Sequence, residues 1–123
     1  MQNLPLPLRF EPDRLRRLLD LVGPTEARAF LSQLESDLSD CARLISDATV
    51  QHDWSALREA SHVLISLAGS SGALALQAQA QALNAAAHDR NAAALAAVYR
   101  QLAPDLTRLI DLVRATPDPF VSP

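Results

Sequence analysis

Three histidines, one cysteine and eleven arginines carry most of the reactive chemistry in this chain, which has no lysine. Among them His62 stands out. It sits in SHVLISLAGSSGA, residues 61–73, where an imidazole is set among apolar and small side chains. A neutral imidazole is a nucleophile near pH 7. Arg58 precedes it by four residues, one helical turn, so a guanidinium able to grip anionic oxygens bidentately falls on the same side. The other candidates are expected to be structural. His52 precedes a helix cap, His88 lies near a helix end, and spacing couples neither to His62. Cys41 repeats with apolar neighbours at helical spacing and belongs in the core. A single cysteine provides no internal disulfide and no cysteine-based zinc site. No histidine pair at i and i+4, carboxylate cluster, glycine-rich nucleotide loop or Ser-His-Asp constellation stands out, which argues against a self-sufficient kinase.

The elements that must position His62 follow from composition and periodicity. The length of 123 residues suits one domain with one core. Hydrophobic residues make up 49% but aromatics only 4%, the balance of helices packed through Leu and Ala, so an all-α class is expected. A net charge of -3 without runs of like charge argues against nucleic acid or acidic lipid as partners. No apolar stretch approaches the roughly 20 residues needed to span a bilayer, so a cytoplasmic protein without membrane contact is expected.

In chain order, residues 1–10 form an extended arm through LPLPL, residues 11–116 a helical body and residues 117–123 a tail. Pro12 opens a short helix carrying Leu15, Leu18, Leu19 and Val22, and Gly23 closes it in a left-handed cap. Pro24 opens a second helix, with Ala27, Phe30, Leu31, Leu34, Leu38, Cys41 and Ile45 on one face, ending near Ala48. Asp53 caps a third, and Ser70 or Ser71 a fourth over residues 72–88. Asn91 caps a fifth that Pro104 should kink or break, since an interior proline costs about 3 kcal/mol. Trp54 reads as packing, and Gln77, Gln79 and Gln81 as the wet side of the fourth helix. Four long segments joined by short loops predict an antiparallel up-down four-helix bundle, with the short first helix capping one end.

At 100° per residue, with Trp54 at about 0°, Leu57, Ala60, Leu64 and Ala68 fall between roughly 240° and 320°. His62 falls near 80° and should point outward. Beside it lie Arg58, Ser55, Ile65, Ser66 and Gly69, mostly small, a strip over which another protein could approach the ring. Ile65 is expected to add exposed apolar surface.

These residues resemble histidine-containing phosphotransfer (HPt) domains of bacterial two-component phosphorelays. The family pattern of a small residue, His, any residue and Leu, then Lys-Gly, with Gly-Ala before the next helix, reads here as Ser61, His62, Val63 and Leu64, then Ile65 and Ser66, then Gly72 and Ala73. The Asp53 to Leu57 opening, the long preceding helix and the order of five helices extend the likeness over nearly the whole chain. The resemblance implies that His62 is the phosphoacceptor, taking a phosphoryl group from a receiver aspartate or histidine kinase and passing it to another receiver. It also implies docking of the receiver or hybrid kinase over Arg58, Ile65, Ser66 and Gly69 by a chain more often monomeric than dimeric. The magnesium is then expected on the receiver, with no cofactor on this chain. Two positions depart from the pattern, Ile65 for the lysine and Ser66 for the glycine. Arg58 is the candidate to replace the lost charge. The alternative is a degenerate HPt-like bundle that docks a partner without transferring phosphate.

Overall fold

The computed structural model describes residues 12–116, so the arm at 1–10 and the tail at 117–123 lie outside the described residues. Five helices make up this part: α1 (Pro12–Val22), α2 (Ala27–Gln51), α3 (Trp54–Ser71), α4 (Leu74–His88) and α5 (Ala92–Ala115). The all-helical class agrees with the Leu/Ala-rich, aromatic-poor composition. Among the described residues, no helix is long and apolar enough to cross a membrane.

Local chemistry explains most helix ends. Gly23 takes the left-handed backbone after α1, with φ 84°, and its N–H reaches Leu19 O at 3.0 Å. Asp53 and Asn91 cap as expected, their side chains accepting from Ala56 N at 3.1 Å and Ala94 N at 3.0 Å.

Three boundaries differ from the sequence expectation. Pro24 does not open α2, because residues 24–26 form a turn in which Ala27 N returns to Gly23 O at 3.0 Å. The same helix runs past Ala48 to Gln51, where His52 adopts a left-handed conformation (φ 52°) and stacks on Trp54, ring centroids 5.5 Å apart. Ser70 and Ser71 belong to the last turn of α3 and do not cap α4. Ser71 Oγ donates back to Leu67 O at 2.6 Å, and Gly72 (φ 85°) makes the cap.

Pro104 does not break α5, which continues from Ala92 to Ala115. Pro104 and Arg100, whose carbonyl loses its helical donor, are both exposed. Leu102, Leu106 and Leu109 hold the opposite side of the helix in the core.

The core is aliphatic. In α2 the buried residues Ala27, Leu31, Leu34, Leu38, Cys41, Ile45 and Ala48 recur at alternating spacings of four and three, a single apolar seam. Leu57, Leu64, Leu76, Leu83, Leu95, Leu102 and Leu109 from the other long helices meet it. Helix α2 packs against α3 and α5, α4 also packs against α3 and α5, and α1 lies across α2 and α3. Between α3 and α4 the direction is fixed by two contacts: Gln77 lies against Gly69, and Asn84 bonds the turn at Arg58 and Ser61. Advancing along α4 therefore means retreating along α3, so this pair is antiparallel.

Candidate functional site

His62 is exposed on α3, on the side opposite the buried Leu57, Ala60, Leu64 and Ala68. This is the orientation that helical periodicity gives it. Its ring lines an open depression between α3 and α4 whose walls are Arg58, Glu59, His62, Val63, Asn84 and His88. Arg58 and His62 share a wall, as four-residue spacing requires. Among the described residues, neither Arg58 nor His62 forms an ion pair or a side-chain hydrogen bond.

The register of the two helices at this depression is set by a small polar knot. Ser61 is fully buried, and its Oγ donates to Arg58 O at 3.1 Å. Asn84 Nδ2 donates to Ser61 Oγ at 3.0 Å and to Arg58 O at 3.3 Å. A buried hydroxyl is costly without partners, so this knot favours one alignment of α4 on α3. It immediately precedes His62 in the chain.

The strip beyond His62 differs from its expected form. Ser66 is exposed, but Ile65 is only partly so and packs against the core cluster. Gly69, expected at the surface, is buried. Arg14 of α1 donates from Nη1 to Gly69 O at 3.0 Å, and Gln77 of α4 covers its Cα, so two neighbouring helices close over the position. A wheel for one helix cannot register such coverage. Helix α1 thereby caps the C-terminal end of α3.

Apolar surface near His62 comes instead from Val63 and Leu44, 48% and 49% exposed. They line a groove between α2 and α3 together with Asp37, Asp40, Cys41, Glu59 and Ala60. The sequence alone marks neither residue as surface apolar contact. Both lie outside the main apolar period of their helices, which was the available signal.

Asn84 and His88 were also missed as neighbours of His62, because α4 could be placed against α3 only after their register was known. They are four residues apart, hence on one face of α4. The glutamines divide similarly. Gln81 is exposed, Gln77 is half-buried over Gly69, and Gln79 donates from Nε2 to Asp105 Oδ2 at 2.9 Å. Asp105 is buried and also pairs with Arg108, so this polar contact links α4 to α5.

Cys41 is buried, with Sγ 4.0 Å from Ala60 O. Burial, with the nearby charges of Asp37 and Asp40, pushes its thiol up to about 11. It is a core residue at neutral pH, far from a reactive thiolate. Comparison of the chain with protein-family models, curated proteins and solved structures finds no match.

Proposed function

We propose that the protein is a phosphoryl carrier of the HPt type, in which His62 accepts a phosphoryl group from a receiver aspartate or a histidine kinase and passes it to another receiver. The observation that carries the reading is the placement of His62: an exposed imidazole on helix α3, one turn from Arg58, in an open depression without an ion pair among the described residues. The cycle of contacts among α2, α3, α4 and α5, with α1 outside it, supports an antiparallel up-down four-helix bundle.

The chemistry asks little of such a carrier. With a receiver as donor, the lone pair of the His62 ring nitrogen attacks phosphorus, the bond from phosphorus to the aspartate oxygen breaks and the donor leaves as a carboxylate. With a kinase phosphohistidine as donor, the phosphorus–nitrogen bond breaks and an imidazole leaves. The receiver brings its own magnesium and acidic pocket. Arg58 supplies positive charge beside the transferring group. A receiver docks over Val63, Leu44 and Ser66, beside the acceptor. This reading makes the chain a cytoplasmic carrier without kinase activity of its own.

Docking without transfer is the competing reading. Ile65 favours it, because the turn after His62 offers packing where the family has a cation. Incubation with a panel of phosphorylated receivers separates the two. Transfer gives an acid-labile, base-stable label on the wild type and none on His62→Gln. A wild type that binds receivers and never takes label establishes docking alone.

A further inference from the structure

Resting on His62 as the acceptor, we propose that His88 is a second phosphoryl-contacting residue, gripping from α4 the group that Arg58 grips from α3. Three nitrogen-bearing side chains able to meet an anion line one depression: Arg58 and His62 on one wall, His88 on the other. Among the described residues, none of the three forms an ion pair or a side-chain hydrogen bond. Glu59 is the carboxylate on the rim, and it too is without an ion pair among those residues.

The backbone position of His88 follows from the packing of α4 on α3. It lies one turn beyond Asn84 on the same face of α4. Asn84 is bonded to Ser61 Oγ and Arg58 O, the turn that carries the acceptor. Because the pair is antiparallel, His88 stands opposite the turn of α3 that precedes Arg58, with Arg58 between its level and that of His62, and all three line one depression. The Arg58 guanidinium and the His88 imidazole stand on facing walls of the depression. A phosphoryl group with two negative charges on His62 gives both an acceptor, each donating N–H to a phosphoryl oxygen. Ile65 leaves the turn after His62 without a charge, so α4 is where the second donor stands. No bond to His88 forms or breaks. Its part is to hold the oxygens while the His62–phosphorus bond is made or broken.

The test uses phosphoramidate, a small donor that needs no partner protein, with the label mapped by peptide mass spectrometry and its uptake followed in time. Wild type takes the label on His62. The His88→Ala variant takes it on His62 about fivefold more slowly, near 1 kcal/mol in the barrier, the upper range for an exposed charged contact. His88→Arg returns to within about twofold of wild type. The His88 ring resonances of wild type also shift on phosphorylation of His62. Uptake by His88→Ala at the wild-type rate overturns the proposal and leaves His62 as the acceptor. Equal slowing in His88→Ala and His88→Arg assigns His88 a structural role and overturns it as well. Label on His88 itself, or no label on any histidine of the wild type, removes this proposal together with the carrier reading.

Discussion

Asn84 Nδ2 donates to Ser61 Oγ at 3.0 Å across the α3/α4 interface, directly beside His62. Ser61 is fully buried, and its hydroxyl already donates to Arg58 O. Asn84→Ala removes that bond and the one to Arg58 O. Each bond contributes about 0.5 to 1.5 kcal/mol net, so the variant should be about 1 to 2 kcal/mol less stable. For a domain of this size that lowers Tm by at least about 4 °C, measurable by thermal denaturation. An unchanged Tm would show that the knot does not hold the two helices.

A second prediction concerns the close approach of α4 to α3. A Cβ on Gly69 would collide with Gln77 Nε2 and lie 3.1 Å from its Cδ. The obstructing atoms are the end of a flexible side chain, so Gln77 must swing aside. Alanine itself favours a helix over glycine by about 1 kcal/mol. In a Gln77→Ala background, Gly69→Ala should therefore stabilise by about 1 kcal/mol. With Gln77 present the gain should be smaller. Equal gains in the two backgrounds, read from a denaturant double-mutant cycle, would refute the packing.

Much of this architecture could be read from the residues. Gly23, Asp53 and Asn91 announce helix ends through their own chemistry, and the four-three spacing from Ala27 to Ala48 announces the seam of α2. The outward direction of His62 also follows from one helix alone. What could not be read is whatever two helices decide together. Gly69 looks exposed on a wheel and is buried because Arg14 and Gln77 come from elsewhere. His88 shares a depression with His62, a neighbourhood that no local period encodes. Pro104 survives inside α5 because tertiary packing on the far side outweighs a local penalty.

Cys41 gives a pH prediction. Its thiol is raised from 9.0 to about 11 in the folded protein, chiefly by burial, so the neutral form is favoured by folding. The contribution is fully present below the unfolded pKa. Above it the unfolded chain loses the proton first, and stability falls as pH rises toward about 11. The fall in unfolding free energy over that window should be smaller in Cys41→Ala than in wild type. Parallel pH profiles would contradict the burial of the thiol. In native protein at neutral pH, Cys41 should also react slowly with a thiol reagent.

Arg58 should matter for rate and little for fold. It lines the depression and has no ion pair among the described residues. Arg58→Ala should slow transfer from a phosphorylated receiver by up to about fivefold, with Arg58→Lys intermediate because a point charge replaces a bidentate fork. Stopped-flow or quench-flow transfer rates decide this. An unchanged rate would place the required charge on the partner.

The most direct measurement is the location of the phosphoryl group after exposure to a phosphorylated receiver, determined by peptide mass spectrometry under alkaline conditions that preserve phosphohistidine. One modified residue, His62, is the expected result, with no modification in His62→Gln. Label that persists in that variant, or that maps to His52, His88 or a carboxylate in the wild type, would contradict it.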